Sequence, residues 1–153
     1  MKKAFVAVLC IVIVCSFVGC GKPQDVHIPD TYISSDEHWE KESFQDYTDF
    51  CIYRYDSSSA IEADSKYEKV TEDDIERVAG YFTNFEMWMK EEKRLDEYSF
   101  DQSCITAGDL WYVKTKEGQP IGSSGSAYGK YDNYTVYFFD VESLTLYFIH
   151  SNI

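Results

Sequence analysis

Two alternating aromatic runs near the C-terminus, NYTVYFFD (133–140) and LTLYFIH (144–150), constrain this chain more than any other feature. The polar stretch Asp140-Val141-Glu142-Ser143 joins them, so they read as an antiparallel hairpin. Side chains alternate across a strand, so Tyr134, Val136 and Phe138 share one face, while Thr135, Tyr137 and Phe139 take the other. In the last strand Leu144, Leu146 and Phe148 alternate with Thr145, Tyr147 and Ile149. Such strands need a covering layer, because an uncovered aromatic sheet would expose a large apolar patch.

The cover is visible in the sequence. From Thr71, "VTEDDI" resembles a capping box, with Asp74 in the place of Glu or Gln and Val70 and Ile75 as a hydrophobic staple. Glu72, Asp73 and Asp74 favour the positive end of a helix dipole, and Lys90, Lys93 and Arg94 the negative end. Ile75, Val78, Ala79, Phe82, Phe85 and Met89 fall on one stripe, widened by Tyr81 and Trp88. This predicts an amphipathic helix of about six turns laid on a sheet.

YTDFCIYRY (47–55) is a strand apolar on both faces, with Tyr47, Cys51, Tyr53 and Tyr55 on one side and Thr48, Phe50, Ile52 and Arg54 on the other. The stretch 56–66 reads as a loop, and a short strand is expected around Ser103–Thr106. LWYVKT (110–115) is a further strand, followed by the turn Lys116–Gln119 and the glycine-rich loop GSSGSAYG (122–129).

The expected class is therefore α+β: one long helix on an antiparallel sheet of about four strands. The layout resembles cystatin-like folds, in which a helix crosses a curved meander, a likeness of arrangement that carries no function. If the helix buries Val136, Phe138, Leu146 and Phe148, then Tyr137, Phe139 and Tyr147, beside Thr135 and Thr145, form an opposite face suited to recognition.

The N-terminus gives an address. Met1-Lys2-Lys3 is followed by an uncharged run, Ala4–Gly19, of 16 residues, too short for a helix that spans a bilayer. It fits the charged and apolar regions of a secretory signal. Val18-Gly19-Cys20 resembles a bacterial lipobox, although Phe17 stands where an aliphatic residue is usual. That resemblance covers residues 1–20 and implies removal of residues 1–19 and attachment of a diacylglycerol with palmitate-type acyl chains to Cys20. Two or more acyl chains hold a protein on a membrane stably. Residues 20–46 then read as a lipidated cysteine and polar tether, with prolines at 23 and 29 and no periodicity over 21–36, and with a short helical turn left open in the charged stretch 37–46. Residues 47–153 read as one domain. The stretches GDLWYVKTKEGQPIG, YTVYFFD and LTLYFIHSN also resemble uncharacterised small proteins of low-GC Gram-positive bacteria.

Charge limits the partners. The net charge of −13 becomes −15 once Lys2 and Lys3 leave with the signal, and such an acidic surface as a whole repels nucleic acid and anionic lipid headgroups. Aromatic residues at 17% exclude a disordered acidic tail. The expected partners are the membrane, through the lipid on Cys20, and a protein or cell-surface ligand.

Catalytic chemistry finds little footing. His27, His38 and His150 show no paired spacing for zinc, and no cofactor motif is present. GSSGSAYG lacks the Lys-Ser/Thr of a P-loop. Cys51 and Cys104, the even pair left after processing, are either joined as a disulfide or buried as free thiols, and sequence leaves both open. The expectation is a non-catalytic binding module of the cell envelope without metal or cofactor. The alternative is a small hydrolase using Cys51, Cys104 or His150.

Overall fold

The computed structural model describes residues 26–40, 47–115 and 133–152. Its centre is one antiparallel sheet of six strands: β1 (Ser34–His38), β2 (Tyr47–Arg54), β3 (Glu68–Lys69), β4 (Leu110–Thr115), β5 (Tyr134–Asp140) and β6 (Thr145–Asn152). Their order across the sheet is β1-β2-β6-β5-β4-β3. A short helix, α1 (Ser59–Glu62), interrupts the loop after β2, and the main helix, α2 (Ile75–Glu91), follows β3. The α+β class with a single antiparallel sheet is therefore present, with six strands in place of about four. The sheet is not a plain meander, because β2, from before the helix, lies beside the last strand β6.

The helix starts later than its capping signal suggests. The Asp74 carboxylate accepts both the Thr71 N–H (3.1 Å) and the Thr71 hydroxyl (2.6 Å). That closes a separate turn over Thr71–Asp74, and i→i−4 bonding begins with Val78 N–H to the Asp74 carbonyl (2.9 Å). At the far end Lys93 adopts a left-handed conformation (φ 60°), and the Arg94 N–H returns to the Met89 carbonyl at 2.8 Å, a Schellman-type stop. Seventeen residues remain, shorter than expected. The predicted stripe is correct: Val78, Phe82, Phe85 and Met89 are fully buried, with Ile75 and Ala79 at its margin. Phe82 stacks on Phe100 at 3.9 Å, so the 96–107 stretch contributes to this layer. No strand forms at 103–106. The Asp101 carboxylate takes the Ser103 N–H (2.9 Å) and sets up a 3-10 turn, Gln102–Cys104.

The hairpin register corrects the assignment of faces. Asp140 pairs with Thr145, leaving four turn residues, and the Asp140 carboxylate binds the Glu142 and Ser143 N–H groups. This offset places odd-numbered β5 residues beside even-numbered β6 residues: Tyr137 beside Phe148, Phe138 beside Tyr147. Val136, Phe138, Tyr147 and Ile149 therefore face α2, while Tyr137, Phe139, Leu146 and Phe148 lie on the opposite side. Leu146 and Phe148 were expected under the helix and Tyr147 opposite it. A one-residue change of register exchanges the two faces of a strand.

The second face is closed by the chain's own N-terminal part. Val26, Ile28, Tyr32 and Trp39, from the stretch expected as tether, pack on it together with Tyr55, Ile61 and Tyr67. The segment crosses the sheet diagonally. His27 N–H donates to the Tyr137 hydroxyl (3.0 Å), the Tyr55 hydroxyl donates to the Pro29 carbonyl (2.9 Å), and Ile33 N–H reaches the Arg54 carbonyl (2.7 Å). It then turns and pairs along β2 as β1. Trp39 ends the crossing with its ring 5.3 Å from Phe148. Burying a large apolar side chain stabilises by about 1.5–3 kcal/mol, so a face carrying Tyr137, Phe139 and Phe148 strongly favours being covered. We refer to residues 26–33 as the strap.

Candidate functional site

The structure disperses the residues expected to form an aromatic recognition surface. Tyr137 and Phe139 are buried beneath the strap, at 1% and 0% exposure. Tyr147 is half-buried on the helix side, its ring 4.8 Å from Phe100. Thr145 is buried, and its hydroxyl donates to the Ser143 carbonyl (3.1 Å). Thr135 is half-buried. These five side chains lie on two sides of a sheet covered on both, and they do not form one open surface. Val26, Ile28 and Trp39 close it without any regular spacing that sequence reading detects.

Cys51 and Cys104 are free thiols. Cys51 packs under the strap and Cys104 against the helix layer, so the sheet separates them and the disulfide alternative falls. Burial pushes both thiols up to about 12, which leaves little thiolate to act as a nucleophile.

His150 is the one candidate held in an arrangement with chemical character. Its Nδ1 lies 3.2 Å from the Asp49 carboxylate, which is buried and also accepts the Glu40 N–H (2.8 Å). The register continues this pair into a polar row across four strands: Asp49, His150, Thr135 and Lys114. Directly opposed residues in a sheet bring their Cβ atoms to about 4.5–5.5 Å, so the row is a line of cross-strand neighbours. Cys51 lies one row further along the same face, beside Phe148, and its protonated thiol does not supply a nucleophile to His150. Among the described residues no group of three His, Cys, Asp or Glu side chains is placed to hold a metal ion.

Beside this row a charged clamp, which sequence gave no sign of, joins β1 and β2 to the end of α2. The Arg94 guanidinium donates to Glu97 (2.7 Å), to the Thr48 carbonyl (2.9 Å) and to Glu40 (3.2 Å). Glu40 in turn accepts the Thr48 N–H (2.8 Å), and the Thr48 hydroxyl binds Glu92. The hydrogen bond from Arg94 holds the Glu97 carboxyl below its usual range against some burial. The members come from positions 40, 48, 92, 94 and 97, and only the folded chain brings them together. Their mutual satisfaction makes the clamp a structural staple.

Two concavities lie among the described residues outside this row and the clamp. A groove of about 700 Å³ runs along the outer side of α2 between Asp73, Glu76, Gly80, Thr83, Asn84 and Met87. A smaller one of about 280 Å³ lies at the β3–β4 margin, where Arg77 sits over the Trp111 ring (4.5 Å) and Lys66 near the Tyr112 ring (6.0 Å). Cys20 and the 122–129 loop lie outside the described residues. No helix among the described residues is long and apolar enough to cross a membrane.

No protein-family model matches the chain, and neither a curated protein nor a solved structure matches it.

Proposed function

We propose that this chain is an extracytoplasmic lipoprotein, fastened to the membrane by acyl chains on Cys20, whose folded part is a non-catalytic binding module. The observation that carries the reading is the cysteine at the seam between an uncharged run of 16 residues and a polar stretch, behind two lysines. Burial keeps the Cys51 and Cys104 thiols protonated, which favours a binding role over catalysis by either of them. Since the strap covers the aromatic face, binding falls to the outer surfaces, away from the ring-lined side of the hairpin.

The test is cell fractionation of the full chain and its Cys20→Ser variant in a Gram-positive host. The reading expects the parent in the membrane and in the detergent phase, and the variant unprocessed or released. Identical behaviour of the two removes it.

The Asp49–His150 pair favours a second reading, a His-dependent hydrolase of the cell envelope. That reading requires His150→Ala to abolish the cellular phenotype of the intact protein while the fold is retained. The binding reading expects His150→Ala to leave the phenotype in place.

A further inference from the structure

The route by which the chain enters the fold determines which side lies nearest the anchor. Val26 and His27 are already seated on the strap face: Val26 in its apolar layer, His27 through the Tyr137 hydroxyl and the Asp64 carboxylate. Five residues separate Cys20 from Val26, and six steps of fully extended chain reach about 20 Å at most. Packed layers are about 10 Å apart, so α2, beyond the sheet, lies about 20 Å from the strap layer. A tether whose full reach only equals this depth favours the strap side next to the bilayer.

The charge distribution points the same way. The register places Lys69 beside Leu110, and Lys114 two positions beyond Tyr112, all on the strap side. Lys66 stands at the Tyr112 ring on that side too. Lys66, Lys69 and Lys114 are all exposed. Of the carboxylates beside these lysines, Asp64 is engaged by His27 and by the Lys66 N–H (3.1 Å), and Glu68 is turned to the helix side beside Trp111, while Asp30 on the strap and Glu62 on α1 are exposed. By contrast, Glu72, Asp73, Glu76, Glu86 and Glu91 are exposed along α2 and its leading turn, against the exposed Lys90 and Lys93 at its far end. In a chain of net charge −13, three lysines around a half-buried tyrosine at the anchor's point of entry form a local basic margin.

We propose that this β3–β4 margin, Lys66, Lys69 and Lys114 around Tyr112, rests on the anionic headgroup layer of the membrane that holds Cys20, with α2 turned outward. The proposal rests on the lipoprotein reading and adds the orientation of the domain. Lysines near an anionic surface each contribute about fivefold to the membrane-bound population, and a tyrosine ring suits the interface. The acidic turn and outer side of α2 would be repelled from the same surface.

The test uses the full-length lipidated protein, isotope-labelled, in bicelles of phosphatidylcholine and phosphatidylglycerol doped with a nitroxide-headgroup lipid. Amide relaxation is expected to be several-fold faster for residues 64–69 and 110–114 than for Thr83–Lys90. Replacing Lys66→Gln and Lys69→Gln together, at exposed positions that leave the spectrum folded, lowers the equilibrium constant for this orientation by about 25-fold, fivefold for each lysine, and brings the relaxation of the two sides close to equal. Equal relaxation on both sides, or faster relaxation along α2, overturns the orientation. The intact mass of the same sample separates the two claims: an acylated Cys20 with equal relaxation sinks the orientation alone, whereas a bare Cys20 sinks both.

Discussion

The two faces of this sheet bury similar aromatic loads under very different covers. On one side a single helix brings Val78, Phe82, Phe85 and Met89 down at regular spacing onto Phe50, Val136 and Phe138. On the other, an irregular strap places Val26, Ile28 and Tyr32, and then Trp39 after β1, onto Tyr53, Tyr137, Phe139 and Phe148. A helix carries its own backbone hydrogen bonds, so its apolar stripe must follow the 3.6-residue period. A strap borrows its bonds from the sheet, as Ile33 does from Arg54 and Pro29 from the Tyr55 hydroxyl, and its apolar residues can fall anywhere. The strap side therefore should open locally while the helix side fails globally.

The largest effect is expected from Phe82→Ala. This ring is fully buried and stacked on Phe100, and its removal should cost about 3–5 kcal/mol, read as a lower denaturant midpoint for the whole domain. Arg94→Ala comes next, at about 2 kcal/mol, because Glu40, Glu92 and Glu97 lose their shared cation. Trp39→Ala, at a half-buried ring, should cost about 1–2 kcal/mol in global unfolding, yet raise amide exchange in β1 and the strap well before the rest. If Trp39→Ala instead unfolds the domain as a unit, the contrast between the two covers breaks.

The thiols sharpen the same comparison chemically. With both raised from 9.0 to about 12, the thiolate fraction at pH 8 falls about a thousandfold, so both should react slowly with a thiol reagent until the protein unfolds. A native disulfide between Cys51 and Cys104 would contradict their placement on opposite sides.

The smallest effect concerns acid. The Glu97 carboxyl is held down by Arg94, so its contribution is present above the ordinary glutamate value of 4.5 and is lost as pH falls through the lowered folded value. Glu97 is about one-third exposed, so screening limits this to under about 1 kcal/mol. Glu97→Gln should remove that part of the acid sensitivity by lowering stability above pH 6 by the same amount, under about 1 kcal/mol, while leaving stability below pH 3 little changed, in urea titrations at several pH values.

These contrasts explain what the sequence disclosed. The stripe from Val78 to Met89 and the strands at 47–54, 110–115 and 134–140 were legible because periods of 3.6 and 2 are local properties. The facing of β6 was not, since it depends on one residue of turn length between Asp140 and Thr145. The clamp around Arg94 escaped notice because its partners are separated by up to 57 positions, from Glu40 to Glu97. The strap escaped because Pro29 and the polar residues at 30–36 mask four apolar anchors without periodicity. That omission made Tyr137 and Phe139 look like an open surface.

Hydrogen exchange of the full chain, read residue by residue, tests most directly whether the protein closes this aromatic face with its own N-terminal segment. The account predicts that the Ile33 amide, bonded to the Arg54 carbonyl, and the His27 amide, bonded to the Tyr137 hydroxyl, exchange at least about a hundredfold more slowly than an unstructured chain. Exchange of both at the unstructured rate, with α2 and β5 still protected, would contradict it.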